Sequence, residues 1–301
     1  MVNGSFASVP ARMNQRLDTR MVLRWLPLYE LCTYSRSCNR AVADCRYSQA
    51  TLNRVHRCLE ELLAEAESRH LFDLLDTLRT TAQKMRTAEG VCRVEVDPFL
   101  SFGSHGFKLE RWARSHADIS RSLQLLGERM CDAFIGSLYE LELERDRKIV
   151  QFQGQQMLVE ALVRTPLWRL APRQAAATIG SNGFDRLALD PTLHHPRLLR
   201  RLETEGYRIL PATIRKSRHH DHTAARVVNQ LQVHALAKHH AYGLLDQAPI
   251  DEDVIGIVYS ASYAEQQPSF KVLMQQVSQH LRQCMEDGLL LSSKTLLPLA
   301  V

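Results

Sequence analysis

Lysine, aromatic residues and long apolar runs are all scarce in this chain. Only seven of its 38 basic residues are lysines, and aromatic residues make up 7% of its 301 positions. The longest apolar runs are far shorter than the roughly 20 residues that a membrane-spanning helix needs. The first ten residues lack the basic and apolar segments of a secretory signal. We therefore expect an intracellular protein without a membrane span.

The cysteines form no recognisable disulfide or metal-binding pattern. There are seven of them, unevenly spread, and none forms a Cys-x-x-Cys pair. Cys38 and Cys45 continue at seven-residue spacing to Leu52 and Leu59, which is typical of a helical seam in a core. A reducing compartment, cytoplasmic or nuclear, fits this pattern best.

Motifs that carry known chemistry are also missing. The chain contains no Gly-x-Gly-x-x-Gly, no Gly-Lys-Ser/Thr loop and no Gly-x-Ser-x-Gly elbow. Glu67 and His70 form a single Glu-x-x-His, whereas a di-iron bundle needs two such pairs. We expect no cofactor, and enzymatic activity is the less favoured interpretation.

Positive charge is concentrated in two segments, although the net charge is only +5. Residues 12–57 hold nine arginines against three acids, and residues 197–226 hold seven arginines and one lysine against three acids. The rest of the chain is acidic. This segregation predicts a surface for an anionic partner, whereas the preference for arginine over lysine also fits a GC-rich coding sequence.

The candidate binding residues are the arginines and one lysine of these two segments. In the first segment they are spaced by four, along one face of a helix: Arg12, Arg16, Arg20 and Arg24. In the second they are Arg197, Arg200, Arg201, Arg215, Lys216 and Arg218. Three interpretations of the first segment stay open: binding of nucleic-acid phosphates or an acidic partner, a mitochondrial targeting helix, or pairing with the chain's own acids.

A histidine cluster, His219, His220 and His222, is the one candidate metal site. The other histidines of the same predicted helix lie at least 12 residues further on, about 18 Å or more along the axis, so they cannot join the same ligand shell. The remaining interpretations are an anion- or pH-sensitive contact and a polar helix start capped by Asp221. The metal site is the less favoured one.

Helical periodicity dominates the chain and predicts an all-α fold. The predicted architecture is a helical bundle in two packed portions, 1–165 and 166–301, with minor extended segments near 91–102 and 253–259. The strongest apolar stripe runs through the predicted helical region 108–164. Its members are Ile119, Leu123, Leu126, Met130, Phe134, Leu138 and Leu141. Further helices are predicted over 28–67, 71–85, 196–206, 221–242 and 269–287.

These observations favour a non-enzymatic interaction or scaffolding protein, such as a virus-encoded or regulatory complex subunit. It would present basic helical surfaces to an anionic partner, which we expect to be a protein. The alternative is a nucleic-acid-binding protein that uses the two arginine-rich segments, although no helix-turn-helix signature is evident. A second alternative is an enzyme or metal site around residues 219–222.

Overall fold

The structure is a computed structural model that divides into two compact units, Met1–Met85 and Arg86–Val301. It describes residues 19–35, 47–97, 99–100, 108–114, 119–173, 185–189, 193, 195–210, 224–237 and 242–293. None of the helices in these ranges is both long enough and apolar enough to cross a membrane.

The first unit is helical in the part that the structure describes. Its helices are α1 (Thr19–Tyr34), α2 (Gln49–Ser68) and α3 (Leu74–Ala88), and the division between the units falls inside α3. Each helix contributes apolar residues spaced three or four apart, which share one face of a helix. The buried members of this core are Val22, Leu26, Val55, Leu59, Leu78 and Ala82.

The second unit is built on a ten-stranded mixed sheet. Its strands are β1 (Val91–Val96), β2 (Lys108–Ala113), β3 (Ala133–Ser137), β4 (Arg147–Phe152), β5 (Gln155–Pro172), β6 (Arg186–Leu189), β7 (Arg208–Ile209), β8 (Ala225–Asn229), β9 (Tyr242–Leu244) and β10 (Asp251–Ser260). They follow the order β2-β1-β3-β10-β5-β8-β6-β7, and β4 and β9 also pair with β5.

Helices and a short 3-10 turn connect these strands. They are α4 (Ile119–Gly127), the 3-10 turn Tyr139–Leu141, α5 (Pro196–Thr204), α6 (Gln230–Ala237), α7 (Ala261–Gln266) and α8 (Pro268–Ser293). Pro196 opens α5 at a first-turn position, where the missing N–H costs nothing, and Gly206 follows its end with a positive φ of 92°.

The sheet has two parallel regions that antiparallel strands join. β1 pairs in parallel with β2 and β3, and β6 pairs in parallel with β7 and β8. The 18-residue strand β5 pairs antiparallel with β10 along one part and with β8 and β9 along another. β5 therefore runs through both regions.

Each region of the sheet has its own hydrophobic cluster. The first cluster, around β1, β3, β10 and α8, includes Val94, Ile135, Ile257, Phe270 and Val277. The second cluster, around β6, β8 and α5, includes Leu187, Leu189, Leu198, Leu202 and Val227.

The predicted all-α bundle is wrong, because the fold is mixed α/β. Within the strongest apolar stripe only Ile119–Gly127 is an α-helix, and Phe134 lies in strand β3. All five residues of β3 are buried, so neither face of the strand is exposed to solvent. A strand buried on both faces has no period-two alternation, and its apolar residues also fit a helical spacing.

Other elements match the predictions in part. Helices were expected near α2, α3, α5 and α8, and the structure has them there. The segments expected to be extended contain β1 and β10, which are two neighbours of β3 in the sheet rather than minor additions. The predicted helix 221–242 contains β8 and α6. Residue 165, where the two portions were expected to meet, lies within β5.

Candidate nucleic-acid interface

Helix α2 is capped at its start, and one of its faces packs into the core of the first unit. The Ser48 hydroxyl accepts a hydrogen bond from the Thr51 amide at 3.3 Å, which satisfies one of the unpaired N–H groups at the helix start. Leu52, Val55 and Leu59 are each at most 1% exposed. This buried stripe determines which face of α2 is presented to solvent.

The opposite face of the first half of α2 is polar and exposed. It presents the side chains of Gln49, Asn53, Arg54 and Arg57. The first acidic residue of the helix is Glu60, so residues 49–59 carry positive charge only. Carboxamide groups both donate and accept hydrogen bonds, and guanidinium groups donate in a planar fork. These are the side chains with which proteins read base edges in DNA.

A buried ion pair joins α1 to α3, the two helices that flank α2 in sequence. The Arg79 Nε donates to Glu30 Oε1 at 3.2 Å, and the two side chains are 9% and 1% exposed. The Tyr29 ring of α1 lies 5.1 Å from the His56 ring of α2, and burial raises the pKa of Tyr29. These contacts connect α1 with α2 and α1 with α3.

The first predicted arginine stripe is described only in part. Arg24 lies on α1 and is exposed. Arg20 also lies on α1, but the structure does not describe its side chain, and Arg12 and Arg16 lie outside the described residues. The predicted role of this stripe in binding an anion therefore stays a prediction.

Two of the three described residues of the second predicted segment pair with the chain's own acids. Arg197 pairs with Glu142 at 3.0 Å, and Arg201 pairs with Glu205 at 3.2 Å and with Asp251. The Arg200 Nε donates to the Pro196 carbonyl at 3.3 Å. Three further predicted residues lie outside the described residues: Arg215, Lys216 and Arg218.

A cavity of about 320 Å³ lies beside Arg197. Its charged lining residues are Arg164, Arg197, Glu142, Glu144, Asp251 and Glu252. Arg164 is also paired, with Glu252 at 3.3 Å. Because acids outnumber arginines in the lining, the cavity does not suit an anionic ligand.

The predicted metal site cannot be placed. His219, His220, His222 and the proposed cap Asp221 lie outside the described residues. Among the residues that the structure does describe, no group of three or more His, Cys, Asp or Glu side chains could hold a metal ion.

A buried polar cluster lies in the second unit, around the end of β3. The Ser137 amide donates to Asp97 Oδ2 at 2.6 Å, and the Ser137 hydroxyl donates to Asp253 Oδ1 at 2.7 Å. The same hydroxyl lies 3.1 Å from Nε2 of His195, and Asn229 donates to Asp253 Oδ2 at 3.3 Å. All five residues are 0% exposed.

Burial shifts the two carboxylic acids of this cluster toward their neutral forms. Burial raises the pKa of Asp97 to about 6, against the opposing effect of Arg114, which pairs with it at 3.3 Å. Burial raises the pKa of Asp253 to about 7, and the negative charge of Asp97 adds to the shift. Hydrogen bonds from Ser137 and Asn229 oppose it. Asp253 therefore titrates in the physiological range.

The exposed face of α2 was not predicted from the sequence. Arg54 and Arg57 belong to the first basic segment but were not among the candidate binding residues, and neither were Gln49 and Asn53. The available signal was a capping serine at position 48, followed by polar residues that alternate with the stripe of Leu52, Val55 and Leu59.

Comparisons with known proteins show the fold but no family. No protein-family model and no curated protein matches the chain. A solved structure of a cysteine mutant of OxyR from Corynebacterium glutamicum is similar over 96% of this chain and 98% of its own, with a TM-score of 0.50 and 14% identity.

Two other solved structures have lower scores. A hydrogen-peroxide-bound form of OxyR from the same organism, with serine in place of a cysteine, has a TM-score of 0.48 at 14% identity, covering 93% of this chain and 98% of its own. Full-length CbnR in complex with its target DNA has a TM-score of 0.46 at 14% identity, covering 87% of this chain and 98% of its own.

The expected helical scaffold is therefore wrong. It depended on an all-α body, whereas the chain shares the mixed α/β fold of the OxyR mutant.

Proposed function

We propose that the chain binds double-stranded DNA and that α2 is the helix that enters the major groove. The observation that carries this proposal is the face formed by Gln49, Asn53, Arg54 and Arg57. In helix-turn-helix proteins the N-terminal residues of the second helix contact base edges while the first helix crosses the backbone.

The chemistry of this face suits base pairs in the major groove. Asn and Gln pair with the N6 and N7 edge of adenine, and Arg pairs with the O6 and N7 edge of guanine. The groove is about 12 Å wide, enough to admit an α-helix. Because Gln49, Asn53 and Arg57 follow one another at steps of four, they line up along a single edge of α2.

Charge supports the same orientation. The start of α2 carries the positive end of the helix dipole, and Arg54 and Arg57 add two charges there. The acids of α2 begin at Glu60, so the second half of the helix would be repelled by phosphates. No aromatic side chain lies on the exposed face of residues 49–57, which favours duplex over single-stranded DNA.

Fluorescence anisotropy with a labelled DNA duplex tests the proposal. We expect binding at about 50 mM salt that weakens steeply as salt rises, because counterions are released from the phosphates. Arg57→Ala should weaken this binding at least tenfold. Arg145→Ala is the control, since Arg145 is also an exposed arginine but lies outside both basic segments, in the second unit; it should change affinity less than twofold.

Two results would reject the proposal. One is an absence of measurable duplex binding by the full chain at about 50 mM salt. The other is equal weakening by Arg57→Ala and Arg145→Ala, which would mean diffuse electrostatic attraction rather than a groove-binding helix. A DNA-binding role also implies a location inside the cell, where the chain would meet its DNA.

A further inference from the structure

We propose that Asp253, Ser137 and His195 form a proton relay that connects the two hydrophobic clusters of the second unit. Asp253 lies on β10 and Ser137 ends β3, both beside the first cluster. His195 precedes α5, which belongs to the second cluster. The chain of contacts from Asp253 to His195 therefore spans the junction between the clusters.

The Ser137 hydroxyl can form its hydrogen bonds to Asp253 and His195 in two alternative patterns. The hydroxyl oxygen lies 2.7 Å from the Asp253 carboxylate and 3.1 Å from His195 Nε2. A hydroxyl has one proton, so it donates to only one of these neighbours, and the other must donate to it. Either protonated Asp253 donates to Ser137, which donates to His195, or His195 donates to Ser137, which donates to ionised Asp253.

Loss of one proton converts the first arrangement into the second. The proton leaves Nδ1 of His195, while the Ser137 hydroxyl proton moves to Nε2 and the Asp253 proton moves to Ser137. One proton is released, and one negative charge is gained at Asp253. Nδ1 of His195 lies 3.7 Å from Oε2 of Glu140, the carboxylate that faces it, and both of these atoms are buried.

The described groups around Asp253 have opposing effects on its pKa: burial and nearby negative charge raise it, and hydrogen-bond donors lower it. Beyond the donors Ser137 and Asn229, β5 places the non-titrating Thr165 opposite Asp253. The amide of Val254 donates a further hydrogen bond, and the charge that acts on Asp253 is that of Asp97, which pairs with Arg114. Asp251, two positions before Asp253 on β10, bonds to Tyr139 and Arg201. Glu95, also buried, adds negative charge beside Asp97. The raised pKa of Asp253, about 7, agrees with these surroundings.

Nuclear magnetic resonance on the full chain tests the relay directly. The carboxyl ¹³C shift of Asp253 and the ring ¹⁵N shifts of His195 are followed from pH 5 to pH 9. We expect a shared midpoint near neutral pH, at which His195 exchanges its ring proton from Nδ1 to Nε2. A midpoint near 4 for Asp253, or unrelated midpoints for the two residues, would overturn the proposal.

Ser137→Ala then tests whether the titrations of Asp253 and His195 are coupled through the Ser137 hydroxyl or only by the closeness of the two residues. Without the hydroxyl, the two residues should titrate independently, and the Asp253 midpoint should rise because its carboxylate loses a donor. The matched control is Ser278→Ala, a buried serine on α8, which should leave both midpoints unchanged. If Ser137→Ala does not fold, the shared midpoint in the unaltered chain remains the deciding result.

The pH dependence of folding stability is an independent test of the raised pKa of Asp253, and the direction of the expected change is defined. When the pKa of an acid is higher in the folded chain than in the unfolded chain, the acid's contribution to the stability of the folded state is complete below the unfolded pKa. That contribution is lost as the pH rises through the folded pKa. Between pH 5 and 7 the folded-to-unfolded ratio should fall by up to about tenfold per pH unit through Asp253. Asp253→Asn should remove this part of the slope, whereas the exposed neighbour change Glu252→Gln should leave it.

Discussion

Glu30 and Arg79 are separated by 49 positions in sequence but form a buried ion pair at 3.2 Å between α1 and α3. Both α1 and α3 pack against the buried stripe of α2, on the face opposite to its exposed polar residues. The pair therefore helps to determine how the proposed DNA-binding helix is held.

Glu30→Gln should destabilise the first unit by up to about 3–5 kcal/mol, because it removes the negative charge that lies 3.2 Å from the buried Arg79 guanidinium. Urea denaturation followed by circular dichroism measures the change. The control is Glu60→Gln, which removes the exposed i,i+4 pair with His56 and should cost about 1 kcal/mol or less. Equal costs for the two variants would contradict a structural role for the buried pair.

Asn53→Ala and Arg54→Ala should have different effects on DNA binding. If Asn53 contacts a base, its removal should lower discrimination between preferred and random duplexes by about 1–3 kcal/mol and leave the salt dependence unchanged. If Arg54 contacts a phosphate, its removal should weaken binding to all sequences and reduce the salt slope by about 1. Binding to selected and random duplexes over a salt series separates the two contributions.

Gly136→Ala should destabilise the second unit by about 1–3 kcal/mol through overpacking. A methyl group at Gly136 would overlap the carboxylate of Asp97, which the Ser137 amide and Arg114 hold in place. Gly127→Ala is the control, because the nearest atom to its added methyl is Nε2 of Gln155 at 3.7 Å, an ordinary contact distance. Thermal unfolding should show a lower midpoint for Gly136→Ala only.

Amphipathic helices on the edge of a core could be predicted from sequence. α2, α3, α5 and α8 each have one buried and one exposed face, so apolar residues recur every three or four positions. The end of α5 at Gly206 was also predictable, since glycine adopts the positive φ found there. Such signals depend on neighbours in the chain, which a sequence displays directly.

The central strands could not be predicted in the same way. β3 is buried on both faces because β1 and β10 flank it and both faces of the sheet are covered, so its apolar run carries no strand periodicity. The apolar residues of β3 therefore merged with those of α4 into one apparent helical stripe. Only the pairing of distant segments distinguishes the two.

What the sequence determined by itself was the segregation of charge, the amphipathic helices and the absence of known catalytic motifs, because these are properties of residue type and local spacing. Tertiary structure alone decided which arginines are paired with the chain's own acids, as for Arg197 and Glu142. It also brought Asp253, Ser137 and His195 together from positions up to 116 residues apart. Burial and long-range contacts arise only when the chain folds, so they could not be predicted from the spacing of residues along the sequence.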